Sequence, residues 1–307
     1  MLHPIFYSSF PSPPAFPQSL IPALHNTLKT LDHLNYAPKL LPQLKPHLLA
    51  SVEGAFTPTE GESLSVSAVL SRIELAACLI SLGLLSSHHV DFILSSLTTA
   101  EVTLEKLPKS FLVKILQLNT HAQLIGLSQS PLTLPALPVF AIPVASSPST
   151  AEKTKETLNR MERFRADVRH YLRAARANGP SKRYLVDGPW LHPSGHVFDA
   201  VVVTDSRGNT LPIPDAVVEA LERPVVSSIL PHLEPDTHAV VLLLFNVFDS
   251  TVFTERPLGD KANALRDLRA LGFKPCVINL KHFYKEVKTK RTELLYNGIT
   301  GALEPVA

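Results

Sequence analysis

Apolar positions recur every three or four residues through the first 130 residues, then give way to short unbroken apolar runs beyond Tyr184. The first pattern predicts helices over Leu20–Leu34, Leu64–Leu85, His89–Leu97 and Leu107–Leu127. In the second of these, Leu64, Val66, Val69, Leu70, Ile73, Ala76, Ala77 and Ile80 form one broad face, with Arg72 and Glu74 outside it. Ala151 to Ala177 reads as a longer, charge-rich helix. Val197–Val203 then predicts a strand, and Ala239–Phe245 a strand buried on both faces. Leu258-Gly259 opens another helix, with Ala262, Leu265, Leu268 and Leu271 on one stripe and Gly272 in the position that ends helices. Val277–Leu280 returns as a strand, and a basic helix follows. A strand–helix–strand crossover of this kind sets two parallel strands side by side.

Proline separates these segments. The 27 prolines gather in residues 4–22, 38–58, 131–148 and 180–235, where they interrupt helices and mark connections. The expected division is a Pro/Ser-rich segment at 1–22, a helical region at 23–130 and a linker at 131–150. A basic helix at 151–183 and an α/β domain at 184–300 follow. Short helices such as those of the first half bury little surface alone and must stack on neighbours, as in helical repeats. The residue composition, 45% hydrophobic and 18% charged with net charge +2, is ordinary for a packed protein. Two cysteines, one in each half, argue against a disulfide framework or a cysteine zinc site. The apolar run at 239–245 is far short of the roughly 20 residues a bilayer requires, so no membrane partner is expected.

The C-terminal pattern of apolar strand, Leu258-Gly259, charged helix ending in Leu271-Gly272-Phe273, β-rich return and a late aromatic beside a basic helix resembles a RAP domain, at about residues 238–297. Pro193-Ser-Gly-His-Val-Phe-Asp199 and Asp205-Ser-Arg-Gly-Asn-Thr-Leu-Pro-Ile213 resemble segments preceding RAP in the FAST kinase family. Leu116-Gln-Leu-Asn119 with Leu134-Pro-Ala-Leu-Pro138, and Leu28 to Pro38 with its Leu-Asn-Tyr, are similar to that family's helical passages. The resemblance covers most of residues 24–297. It implies an α-helical repeat region followed by a RAP domain similar to the PD-(D/E)XK nuclease-like α/β fold. It also implies binding of mitochondrial transcripts in the matrix, an influence on their processing and stability, and ribonucleoprotein-granule proteins as partners. Met1–Phe16 is aromatic, Ser/Pro-rich and free of Arg and Lys, unlike an Arg-rich transit peptide. On the family pattern, the import signal and an upstream helical portion are therefore expected to be missing.

Charge adds to the picture. Residues 1–150 carry seven Lys/Arg and eight Asp/Glu, whereas residues 152–183 carry ten Lys/Arg against four acids. Arg165, Arg169, Arg173 and Arg176 follow at helical spacings, and Lys182 and Arg183 continue the cluster. Lys281, Lys285 and Lys288, with Lys290 and Arg291, form a second cluster. Like charges in a row repel unless an anion neutralises them, and a phosphate backbone would do so. Tyr171, Phe283 and Tyr284 stand among these cations as candidates for stacking on unpaired bases. The competing reading is that basic helix faces are simply solvated.

A PD-(D/E)XK site needs an Asp on one strand and an acid-x-Lys pair on the next, which together hold a divalent metal. Asp199 fits the first place, or it caps or pairs at the start of its strand. The second strand, Val240–Phe245, has neither acid nor lysine. Asp249, just beyond it, is the other candidate carboxylate, or a turn residue alongside Asn246 and Ser250. The family's usual Glu-Trp pair is replaced here by His282-Phe283. The expected outcome is RNA binding without cutting. The alternatives are a metal-dependent endoribonuclease using Asp199 and Asp249, and a protein–protein scaffold. No kinase motif, nucleophile elbow or phosphate loop is present, and Pro193 and Gly195 break the i, i+4 pairing of His192 with His196. No metal or other cofactor is expected.

Overall fold

The structure, a computed structural model, describes residues 26–31, 52, 56, 66–99, 108–127, 151–174, 185–192, 194–222, 229–250 and 256–304. The chain divides into two compact units, residues 1–107 and 108–307. It is a mixed α/β protein.

In the first unit, α1 (Val66–Ser81) and α2 (Ser87–Thr99) form a helical hairpin. Gly83, at φ 64°, takes the left-handed conformation just after α1 that glycine accepts without a steric penalty. The apolar spacing of α1 buries Val69, Ile73, Ala76, Leu79 and Ile80, and α2 contributes Val90, Phe92 and Ile93. Phe56 meets Phe92 edge-on at 5.8 Å between ring centroids. The predicted helix over 20–34 is seen as residues 26–31, with Leu28 buried.

Among the described residues, the second unit is built on one five-stranded sheet. Its strands are β1 (Val186–Leu191), β2 (Val197–Asp205), β3 (Thr210–Leu211), β4 (Thr237–Phe245) and β5 (Lys274–Asn279). The order is β1-β2-β4-β5, with β3 also paired to β2. β2 runs antiparallel to β1, β3 and β4, while β4 and β5 are parallel. The α-helices of this unit among the described residues are α3 (Lys109–Leu124), α4 (Ala151–Ala174), α5 (Asp215–Glu222), α6 (Gly259–Ala270), α7 (Leu280–Lys285) and α8 (Arg291–Gly301).

Alternation along β4 explains the layers. Ala239, Val241, Leu243 and Phe245 join a core with α5 and α6, while Val240, Leu242 and Leu244 join a second core with α4, α7 and α8. A strand with helices on both faces must be apolar throughout, as this one is. The crossover β4–α6–β5 is the parallel unit that the sequence pattern predicts, and Gly272 lies at φ 97° after α6. Cys78 and Cys276 are buried free thiols. Among the described residues, no helix is long and apolar enough to cross a membrane.

α3 falls inside the 23–130 stretch read as helical repeats, yet it is part of the compact unit that begins at residue 108. Gln117 donates to the Gly195 carbonyl at 3.1 Å, and His121 lies 3.5 Å from Asp267 of α6. These long-range polar contacts fix the helix against the β1–β2 turn and α6.

Candidate nucleic-acid interface

Helix α4 buries Phe164, Val168 and Leu172, four residues apart, against the sheet. Its opposite side exposes Arg160, Glu162, Arg163, His170 and Arg173. The arginines at 165 and 169 follow the buried stripe by one residue, so they stand at its edge. Arg165 Nε lies 2.8 Å from Asp199 Oδ1, and Arg169 donates to the Gly188 carbonyl at 2.8 Å. Of the predicted arginine row, the structure therefore turns the first two inward, and among its described members Arg173 is the exposed one. Arg176, Lys182 and Arg183 lie outside the described residues.

The second basic segment starts where β5 ends. The Asn279 side chain accepts from the Lys281 amide at 2.8 Å and so caps α7. Lys281, His282 and Lys285 are exposed on α7, and Lys288 and Lys290 on the turn after it. Phe283 points the other way and is completely buried against Phe164, with ring centroids 5.3 Å apart. It belongs to the core and offers no face to a base, contrary to the sequence expectation. Adjacent helical residues point about 100° apart, so the lysines and Phe283 part company.

Tyr284 joins the two segments. Its hydroxyl donates to Asp167 of α4 at 2.8 Å. Burial pushes the phenol pKa up to about 12, the Asp167 bond adds to that, and the charges of Arg291 and Arg163 pull the other way. The Arg291 guanidinium lies 5.1 Å from the Phe283 and Tyr284 ring centroids and 5.8 Å from Tyr171. A cation held over several rings gains attraction without needing a carboxylate. Arg163 of α4 and Arg291 of α8 thus both act on the Tyr284 hydroxyl. Tyr284 and Asp167, 117 residues apart in sequence, meet there.

The carboxylate candidates sit at the carboxyl end of β4. Asp199 uses both oxygens: Oδ1 on Arg165, and Oδ2 as acceptor for the Leu244 amide at 2.8 Å. The β2–β4 register, Ala200 opposite Leu242, places the all-apolar Leu243-Leu244-Phe245 beside it. Asp249 Oδ2 accepts from the Asn246 amide at 2.7 Å, closing a turn. Burial raises the Asp249 pKa, Lys261 opposes that, and Asp199 and Asp260 add to it. Among the described residues, no group of three or more His, Cys, Asp and Glu is placed to hold a metal.

Sequence reasoning missed a buried polar cluster on the far side of the sheet. Asp267 Oδ2 lies 3.1 Å from His196 Nε2, and Arg266 reaches both Asp267 at 3.1 Å and His121 at 3.2 Å. His192 accepts from the Ser194 amide at 3.1 Å and stacks on Phe198, while its Nε2 has no hydrogen-bond partner among the described residues. Its imidazole pKa falls to about 3, through burial first and the nearby His196 second. The available signal was the Pro193-Ser194-Gly195 turn between the two histidines. It told of a turn but not of the acid, 71 residues on, that completes the cluster.

In comparisons with known proteins, no protein-family model matches the chain. No curated protein matches it in sequence either.

Proposed function

We propose that this chain is an RNA-binding protein of the FAST kinase type, with helical repeats in its first half and a RAP domain at its C-terminus. It acts on mitochondrial transcripts in the matrix, influencing their processing and stability in company with ribonucleoprotein-granule proteins. The observation that carries the reading is the run of exposed cations Lys281, Lys285, Lys288 and Lys290 on α7 and the turn after it, next to a Tyr284 on which Arg163 and Arg291, distant in sequence, both act. A row of exposed cations of this kind binds a phosphate backbone by releasing its counterions. The domain holds RNA without cutting it. Asp199 has spent both oxygens on Arg165 and Leu244, and the neighbouring strand supplies no acid or lysine. The resemblance supplies the family, the organelle and the class of transcript.

Crosslinking in cells, followed by sequencing of the RNA recovered with the full chain, tests this directly. Enrichment of mitochondrial transcripts is the expected result. RNA recovery no higher than from a control protein overturns it.

A further inference from the structure

The aromatic residues expected to stack on bases are engaged elsewhere: Phe283 is in the core, Tyr171 packs edge-on against it, and Tyr284 is held between Asp167 and Arg291. Another ring is offered to solvent. Phe248 is 72% exposed, and it is the one aromatic among the exposed large apolar side chains of the described residues. It does not sit on a loose end. The Asn246 side chain accepts from the Phe248 amide at 2.6 Å, the Asp249 carboxylate accepts from the Asn246 amide, and the Asp249 carbonyl accepts from the Leu258 amide at 2.9 Å. Asx turns of this type fix the backbone locally, so the ring is presented by a turn held by three hydrogen bonds of its own. Preorganised aromatic surface gives contact area at low entropic cost.

Its surroundings identify what it receives. The turn follows β4 at the carboxyl end of the parallel pair, where Phe245 is in register with Asn279. Asn279 also reaches Ser250 at 3.5 Å and caps the helix that carries Lys281 and Lys285. Lys261 lies over the Phe245 ring at 5.4 Å. Two carboxylates, Asp249 and Asp260, stand close to the turn and to each other. Lys261 offsets part of that charge, so the turn itself offers a phosphate little attraction, while the lysines of α7 attract one beside it. A neutral, flat group attached to a nearby anionic backbone satisfies both conditions. An unpaired nucleobase is such a group.

We infer that Phe248 is a stacking platform for one unpaired base of an RNA strand whose phosphates run over Lys281 and Lys285. This rests on the RNA-binding reading and narrows it to single-stranded RNA. Stacking on an aromatic side chain tolerates any base, because every base has a π-face.

The test is a titration of the full chain with a short single-stranded oligoribonucleotide and with a duplex of the same length. Phe248→Ala is expected to weaken single-strand binding about ten-fold. It should spare the duplex and leave the salt dependence unchanged, because a base carries no charge. Phe248→Trp should keep the affinity and show quenching of the new indole on binding. Equal melting temperatures for the variants and the parent protein exclude misfolding as the cause. If the parent binds single strands in a salt-sensitive way but Phe248→Ala binds within about two-fold of it, the platform is wrong and the RNA reading stands. If the loss is equal on duplex RNA, stacking is also wrong. If the parent binds neither RNA, both fall together.

Discussion

Arg165 and Asp199 neutralise each other: Nε of the first lies 2.8 Å from Oδ1 of the second, with the side chains only 15% and 10% exposed. The partners come from α4 and β2, so the pair ties a helix to the strand it covers. A group read as a phosphate contact and a group read as a metal ligand cancel, and the pair supports the fold.

This sets the sign of a substitution. Asp199→Asn keeps an acceptor for the Leu244 amide but leaves Arg165 without its countercharge in a largely buried place. The expected cost is about 1–3 kcal/mol, read from the shift of a urea unfolding curve. A carboxylate kept for metal catalysis behaves oppositely, since active-site groups are commonly held at the expense of stability. A variant more stable than the parent would return Asp199 to the catalytic candidates.

The β1–β2 turn makes a second demand. Gly195 has φ 78°, and a Cβ there would lie 2.7 Å from the Val113 carbonyl oxygen and 2.8 Å from the Gln117 amide nitrogen, both backbone atoms of α3. Gly195→Ala pays about 1–2 kcal/mol for the left-handed backbone alone, and α3 must also move away. Hydrogen exchange should show loss of protection in α3 ahead of the sheet. Unchanged protection of residues 109–124 would mean that the helix is not held there.

The same region makes stability depend on acid. The His192 imidazole has a folded pKa of about 3, below its unfolded value of about 6.5. The unfolded chain therefore binds the extra proton, so stability is complete above the unfolded value and lost as the pH falls from there toward the folded one. Burial by itself would raise the Asp267 carboxyl. Hydrogen bonds from His121 and His196 and the charge of Arg266 instead hold it well below the usual carboxylate range. Its contribution is present above about pH 4 and fades below, which has the same sign. Unfolding midpoints should drop on acidification from about pH 7 to 4, at up to about 1.4 kcal/mol per pH unit for each proton taken up. His192→Phe should flatten the part above pH 4 or so. A midpoint that does not change over that range contradicts the buried neutral histidine.

The legible parts of the fold were those written in short-range pattern. The run Ala239–Phe245, the stripe on 259–270 and the glycine at 272 each state their role within a few residues, and the structure places a strand, a helix and a helix end there. The illegible parts depended on distant partners. In α4, apolar residues at 164, 168 and 172 and arginines at 165, 169 and 173 share one spacing, so periodicity alone does not show which arginines reach the sheet. Asp199, 34 residues beyond Arg165, decides it. Phe283 and Tyr284 are both aromatic among lysines, yet one lies wholly inside because Phe164 faces it. The His121–Asp267–His196 cluster joins three separate segments, and no local motif announces it.

The central claim is that the exposed cations of α7 and the turn after it hold RNA phosphates. The direct measurement is the affinity for single-stranded RNA as a function of salt, for the parent chain and for Lys281→Ala/Lys285→Ala/Lys288→Ala, whose exposed side chains can be removed without touching the core. Each phosphate contact adds about 0.7 to the slope of log affinity against log salt, so the triple variant should lose about 2 from that slope while melting at the same temperature. A parent chain with no salt-sensitive affinity, or a triple variant with the parent's slope, would contradict the account.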